Sequence, residues 1–479
     1  MEPAPTSTSR LSISGSAQLA GTLVVQSGGV SPKLKMGQKL TILTADGGVS
    51  GRFGTVDNLL VGETIVVGSV IYGPTSVSIE GTQGSFKSID SQLHLTYNRR
   101  LSPRLSTVPR AIKRAAKLMT FLDGQSIKKL PGDFDRIAPE EIASVFRIGV
   151  SLADVQARNV QRRTADLRAG ASGFSASGFQ STTGLTYGNG GSAGPDGADG
   201  QTAAVPRPAL GLVHHGVGDF AHVGDSANAE GYDLNTGGVT VGADYKLTPE
   251  LAVGMTVGYT GTNANLNDDG RLLVNGGKLG VYGTYFTKGY HVDAAVTGGV
   301  NNYNVRRSSL EGDASGSTRG SEVDVLVDAG YDWRLDALTI GPSASFQYTY
   351  VGMDGFTEHG SLTPLRYAGQ HQSSIRSTFG LQMAYDWKVG NVIVRPEAQL
   401  AWQHEFGDRS YSIGSALASG AGDMFSVSDT ELGRDSLLFG AGVAVLWNTR
   451  TSTYLYYDTD LLKKEYNSQS VTGGLRLNF

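Results

Sequence analysis

The chain has 479 residues, 66 of them glycine, 18% charged and none cysteine, with a net charge of −4. That balance argues against a nucleic-acid partner held by broad positive charge, and the missing thiols exclude disulfides, thiolate metal sites and cysteine nucleophiles while suiting a chain that crosses an oxidising compartment unfolded. No uninterrupted apolar run approaches the roughly 18 residues of a spanning helix, a test that does not detect spanning strands, and the start MEPAPTSTSRLSISGS lacks the basic and apolar regions of a signal peptide.

Residues 10–97 are short β-rich stretches punctuated by glycine, such as LSISGSAQLAGTLVV and KLTILTADGGVSGRF. Leu11 and Ile13, Leu23 and Val25, and Leu40 and Ile42 alternate with polar or small residues. This is the pattern of short strands joined by tight turns. It fits the last coils of a parallel β-helix; a small β-sandwich would look similar.

Residues 101–170 lose the period of two. VPRAIKRAAKLMTFL carries Pro109 at a helix start, with Ile112, Ala115, Ala116 and Met119 at helical spacing. A longer helix is predicted over about 139–169: Pro139 and two acids suit its start, and Arg168 before Gly170 suits its end. Its first half carries Ile142, Val145, Phe146, Gly149 and Val150; its second half carries Arg158, Arg162, Arg163 and Arg168. Residues 171–207, rich in Gly, Ser, Ala and Thr, read as a flexible linker.

From residue 208 to 479 the chain becomes a series of long alternating strands. Val253, Met255, Val257 and Tyr259 face one way, with Ala252, Gly254, Thr256 and Gly258 between them; Phe379, Leu381, Met383, Tyr385 and Trp387 repeat the pattern. About 9–11 residues of strict alternation cross a bilayer when tilted. The apolar face ends in Tyr, Trp or Phe near turns, as an interfacial girdle does. The other face is too polar to form a sandwich core.

Twelve strands are predicted, near 208–221, 236–247, 250–261, 274–287, 290–304, 321–335, 338–352, 374–388, 392–406, 436–448, 452–464 and 468–479. Links after even strands are short (TPE, TKG, DA, VGN, NTR). Several after odd strands are long, at 305–320, 353–373 and 407–435. That parity is the signature of an outer-membrane barrel. The last strand, with Val471, Gly473, Leu475, Leu477 and Phe479 on one face, must close against the first.

These segments, with QRRTADLRAG, GYDLNTGGVTVGADYKL, WQHEFGD, GRDSLLFGAGVAV and the final GGLRLNF, resemble the autotransporters, or type Va secretion proteins. The resemblance implies a mainly β fold: a 12-stranded antiparallel outer-membrane β-barrel (208–479) with a luminal α-helix, preceded by the C-terminal coils of a parallel β-helix passenger (1–100). It implies a translocator that exports and anchors its passenger at the cell surface. The implied partners are the outer-membrane lipid bilayer, periplasmic chaperones, the passenger segment and the barrel-assembly machinery. That machinery reads the final strand, here Val471, Leu475, Leu477 and Phe479. A monomer without cofactor or nucleic acid is expected.

One helix ~10–12 Å across should plug a barrel of this size. Inward positions include Asp244, Asp293, Asp324, Asp328, Asp332 and Glu397, and Arg158, Arg162 and Arg163 are expected to pair with some of them. Family members that cut themselves use adjacent asparagines in the luminal helix. Here Asn159 is followed by Val160, and Asn301-Asn302 falls on a barrel strand, so self-cleavage is not expected. The missing signal peptide and short passenger suggest a truncated chain.

The rivals are a passive porin and an outer-membrane barrel hydrolase. His214, His215, His359 and His371 are scattered, and no G-x-S-x-G appears, so no catalytic residue is assigned. NLNDDG at 265–270 begins like a calcium loop through Asn265, Asn267, Asp269 and Gly270. Gly276 stands where the closing Glu belongs, so no metal site is assigned.

Overall fold

Alternating side chains across extended backbone, repeated between tight turns, build one continuous antiparallel ladder in the C-terminal half. The computed structural model describes residues 10–25, 34–57, 64–84, 113–137, 140–168, 210–226, 229–266, 269–420, 424–448 and 451–477. The ladder strands are β1 (Leu210–Val223), β2 (Tyr232–Thr248), β3 (Leu251–Asn265), β4 (Arg271–Thr287), β5 (Tyr290–Ser309), β6 (Gly312–Tyr331), β7 (Leu338–Met353), β8 (Gln370–Tyr385), β9 (Val392–Glu405), β10 (Asp435–Leu446), β11 (Thr451–Leu461) and β12 (Tyr466–Leu477). Each pairs with its neighbour in sequence, and β12 pairs back onto β1 from Tyr466↔Val223 to Gly473↔Gly216. The twelve strands therefore form a closed barrel.

Strand β5 shows how the wall is written. Tyr290, Val292, Val296 and Val300 point outward and are exposed, while His291, Asp293, Ala295, Thr297 and Asn301 are buried toward the lumen. At a rise of ~3.4 Å and a tilt near 45°, the ten steps from Tyr290 to Val300 span ~24 Å, close to the height of a lipid-facing band. Tyr290, Tyr331 and Trp333 cluster at the short-turn end, with ring centroids 4.5 and 5.3 Å apart in sequence order. The hairpin there turns at Lys288 (φ 49°) and Gly289 (φ 89°), the paired positive φ of a two-residue turn matched to strand twist.

Beyond the apolar band the two faces exchange character. Asn302, Asn304 and Arg306 point outward, while Tyr303 and Val305 turn inward. Leu234, Val274, Val351 and Met353 do the same on other strands. Past the bilayer the solvent lies outside, so the barrel continues as a water-soluble β-structure around an apolar core. This corrects the predicted loop at 305–320. Strands β5 and β6 run on to Ser309 and Gly312 and turn at Leu310–Glu311. Membrane alternation stops there, but the hydrogen-bond ladder does not. The predicted loops 353–373 and 407–435 likewise hold short strands. Phe356–Thr357, Leu365–Tyr367, Ser412–Leu417 and Phe425–Ser428 pair into a small sheet over the long-loop end.

The helical segment fills the interior. Helix α1 is Lys113–Asp123, α2 Leu130–Ile137 and α3 Ser144–Arg168, the last preceded by a 3₁₀ turn at Glu140–Ala143. Helix α2 was not among the predicted elements; its Pro131 sits in the first helical turn, where proline is tolerated. Leu118, Leu122, Leu130, Phe134, Ile137, Phe146 and Ile148 join Leu234, Val305, Leu365, Ile413 and Phe425 in one buried cluster. Below it α3 continues down the lumen, its 25 residues spanning ~37 Å.

The N-terminal strands pair separately. Leu11–Ile13 lies parallel to Leu43–Ala45, Ala17–Leu19 to Val49–Gly51, and Thr22–Val24 to Thr55–Asp57, at a near-constant separation along the chain. The hairpin Val66–Tyr72/Ser76–Gln83 closes this unit antiparallel to Lys39–Ala45. Ala17, Leu19, Leu43, Ala45 and Val77 form its core. The linker at 171–207 and Phe479 lie outside the described residues.

Gly149 marks a close passage of α3 against the wall, where a Cβ would meet Val351 Cγ1 at 2.6 Å. Gly149→Leu should lower folded stability by about 1–3 kcal/mol through overpacking. The check is the temperature at which the folded, fast-migrating band is lost on SDS gels.

Candidate functional site: the occupied lumen

Helix α3 packs against β1 to β8 and carries polar side chains around its circumference. Toward β2–β4, Arg163 donates to Asp244 through Nε and Nη2 at 2.5 and 2.9 Å, and Tyr282 donates to the same carboxylate at 2.8 Å. Above it Gln156 bridges Thr256 and Thr240, each at 2.9 Å, and Asn159 donates to Thr240 at 3.1 Å. Toward β5, Thr164 donates to Asp293 at 2.8 Å and Arg168 pairs with the same carboxylate.

The opposite side is spanned by long side chains. Arg158 reaches Asp219 at 3.8 Å; Arg162 pairs with Asp458, donates to Thr472 at 2.8 Å and lies over the Tyr456 ring at 5.4 Å. Among the described residues, cavities of ≈ 110 and ≈ 180 Å³ lie on this side, both lined by Arg158, Gln161, Gln399 and Asp458. Asp154 accepts a two-pronged pair from Arg376 of β8.

Both ends of the helical segment are tied. Arg147 donates to Asp429 at 2.9 Å, and Tyr232 reaches that carboxylate at 3.1 Å, fixing the start of α3 to the β9–β10 connection. Arg307 of β5 binds Glu358 at 2.9 and 2.8 Å and the carbonyl of Arg136 at 2.6 Å, fixing the end of α2. Burial and the neighbouring Glu358 push the Tyr367 hydroxyl well above its usual range, so it stays a neutral donor to Glu358 at 3.1 Å. Arg168 on Asp293 holds the far end of α3.

All six predicted acids are buried. Of these, Asp244 meets one of the three arginines singled out, Arg163. Arg158 and Arg162 go instead to Asp219 and Asp458, which sequence reasoning missed. Strand parity offered a signal for Asp458, which shares a face with Tyr454 and Tyr456 opposite Leu455 and Tyr457. Asp324 accepts from Gln347 at 2.9 Å, Glu397 from Tyr456, and Asp328 and Asp332 flank His291 at 3.5 and 3.7 Å. Asn301 is buried on β5 and donates to Glu322 at 2.8 Å. Val471 is exposed on β12; Leu475 and Leu477 pair with Thr453 and Thr451 of β11.

Removing one partner of a buried, hydrogen-bonded ion pair costs about 3–5 kcal/mol, whereas replacing both by apolar groups is near neutral. Arg163→Met should therefore lower the unfolding midpoint in detergent, and Arg163→Met with Asp244→Leu should recover much of the loss. Replacing Arg158, Arg162 and Arg163 together by glutamate should raise single-channel conductance in planar bilayers. Unchanged conductance would show that other contacts hold the plug.

The family model for the autotransporter beta-domain matches residues 214–458. An extracellular serine protease of Serratia marcescens is 28% identical over 269 residues, covering 55% of this chain and 25% of the relative. Lipase 1 of Photorhabdus luminescens is 24% identical over 38% of this chain and 29% of its own length. The chain thus spans about a quarter of the length of the curated relatives it matches. Among solved structures, the translocator domain of NalP from Neisseria meningitidis aligns with a TM-score of 0.47 at 14% identity, over 57% of this chain and 88% of that one. The beta domain of Bordetella BrkA aligns at 0.44 and 20%, over 57% and 98%. The family match covers about half of the chain, from β1 into β11, and the chain belongs to the autotransporters, whose beta-domain is an outer-membrane translocator that exports a passenger.

Proposed function

We propose that α3 stays in the lumen after export as both seal and tether, and that residues 10–84 are the end of a β-helical passenger held at the cell surface. The observation that carries this reading is that α3 traverses a closed barrel and is tied at both ends, by Arg147–Asp429 and Arg168–Asp293. A segment so held leaves its preceding chain on the long-loop side, which is the cell exterior in this family. The parallel pairs at near-constant spacing support the β-helix assignment. The small remaining cavities speak against a passive pore.

Export itself needs no catalytic group in the barrel. The passenger folds outside the membrane, and the apolar core at the outer mouth would form only once α1, α2 and the loop sheet meet there. The final strand, with Val471, Leu475, Leu477 and Phe479, is the segment we assign to recognition by the barrel-assembly machinery, after delivery by periplasmic chaperones.

An antibody against residues 10–84 should label intact cells expressing the exported chain, and the labelled segment should stay with the outer-membrane fraction. Deleting residues 144–168 should abolish surface labelling and open the pore. Labelling only after permeabilisation would overturn the export reading; recovery of the segment in the medium would overturn the tether.

A further inference from the structure

The lower lumen wall contains an arrangement that goes beyond what seating α3 requires. His291 and Asp293 occupy successive inward positions on β5, opposite Gly330 and Asp328 of β6. Asp332 lies one inward position beyond Gly330, just after β6. All four polar residues are buried: His291 is 2% exposed, Asp293 3%, Asp328 9% and Asp332 5%. Two carboxylates directly opposed across an antiparallel pair repel each other, and here the pair lies inside the barrel. Arg168 and Thr164 satisfy one oxygen of Asp293, Oδ2. Among the described residues, its other oxygen, Oδ1, has no hydrogen-bond partner, and neither ring nitrogen of His291 has one.

The geometry points to a divalent transition-metal site of the Zn²⁺ class, with His291 Nε2, Asp328 and the free Oδ1 of Asp293 as ligands. One atom from each of His291, Asp293 and Asp328 lies within 4.8 Å of the others. His291 Nε2 stands 3.5 Å from Asp328 Oδ1. That is long for a good hydrogen bond, but two ligands held ~2.0–2.1 Å from a tetrahedral ion lie ~3.4 Å apart. On the other side of the ring, His291 Nδ1 faces Asp332 at 3.7 Å, and Gln382 donates to that carboxylate at 3.2 Å. A carboxylate behind the distal nitrogen is the arrangement that sets the tautomer and orientation of a metal-binding histidine. The imidazole ligand selects borderline transition ions over Mg²⁺ and Ca²⁺, which prefer all-oxygen sets.

Two further features fit an ion. The ≈ 110 Å³ cavity is lined by Asp293 and Asp328, leaving space for a water in the fourth position and a route from the lumen. Gly330 keeps the ring in place: a Cβ there would stand 2.6 Å from His291 Cε1 and 2.8 Å from Nε2. The bound ion neutralises opposed carboxylates that Arg168 alone leaves in excess. Because Asp293 faces the ion with one oxygen and Arg168 with the other, the site joins the β5–β6 wall to the end of α3.

The test uses the full chain, purified in detergent without a polyhistidine tag, stripped with chelator and titrated with ZnCl₂. One Zn²⁺ per chain should survive desalting, in the parent and in the exposed-site control His359→Ala, and it should raise the unfolding midpoint. His291→Ala and Asp328→Asn should abolish binding, and Asp332→Asn should weaken it about 10- to 100-fold. Gly330→Ala, which keeps every ligand residue but crowds the His291 ring, should also weaken it. Co²⁺ added to the stripped parent should give visible absorption of low-symmetry nitrogen–oxygen coordination, a readout independent of how the variants fold. No retained Zn²⁺, retention unchanged in His291→Ala, Mg²⁺ binding as tightly as Zn²⁺, or a Co²⁺ spectrum matching the aqueous ion would each overturn the site.

Discussion

The structure depends on one constraint: backbone groups in lipid must find hydrogen-bond partners within the protein. Each unsatisfied group costs several kcal/mol where water is absent. A sheet meets that demand only by closing on itself, so β12 must return to β1, as the Tyr466–Gly473 ladder does. Closure fixes the rest. It sets alternation with apolar side chains outward, and it creates an interior that must be filled or left open.

Filling the interior carries its own requirement. Among inward-facing Asp, Thr and Gln, apolar contact is confined to a small patch where Ala157, Val160 and Leu167 meet Ala252, Tyr282, Ala295 and Leu326, so α3 is held there chiefly by hydrogen-bonded charge. Its arginines are matched to carboxylates of β1, β2, β5 and β11. Such pairs do little for net stability compared with apolar replacements, yet breaking one is costly. They therefore suit a plug that must adopt one seating and leave no conducting gap. At the outer mouth the wall turns apolar inward, and the same helix is held there by Phe146, Ile148 and Leu152. One helix thus crosses two environments, apolar above and charged below, and its sequence changes along its length to match.

The wall is also a scaffold with fixed two-residue spacing. On β5 and β6 it places an imidazole and carboxylates within a few ångströms without any loop to position them. Glycines make room between strands: Gly330 admits the His291 ring, and Gly442 leaves space where a Cβ would stand 1.9 Å from the Tyr456 ring. Part of the high glycine content is therefore a packing requirement of the lumen rather than of turns alone.

Strand number, parity of the turns and the outward face were legible from the chain, because a period of two and turn residues are local properties. So was the inward burial of Asp244, Asp293 and Glu397, which follows from parity. The partner of each arginine was not. Arg158 and Arg162 could reach several acids, and the choice of Asp219 and Asp458 is set by where α3 sits across the lumen, an offset no local pattern encodes. The strand extensions beyond Asn304, the loop sheet and the His291 cluster escaped for the same reason. Solvent polarity reverses outside the bilayer, and cross-strand register decides which inward residues become neighbours. By itself the sequence determined that these strands alternate and must close. Only the tertiary structure decided what meets inside, because those contacts join residues as far apart as Arg162 and Thr472, 310 positions, through register and helix placement.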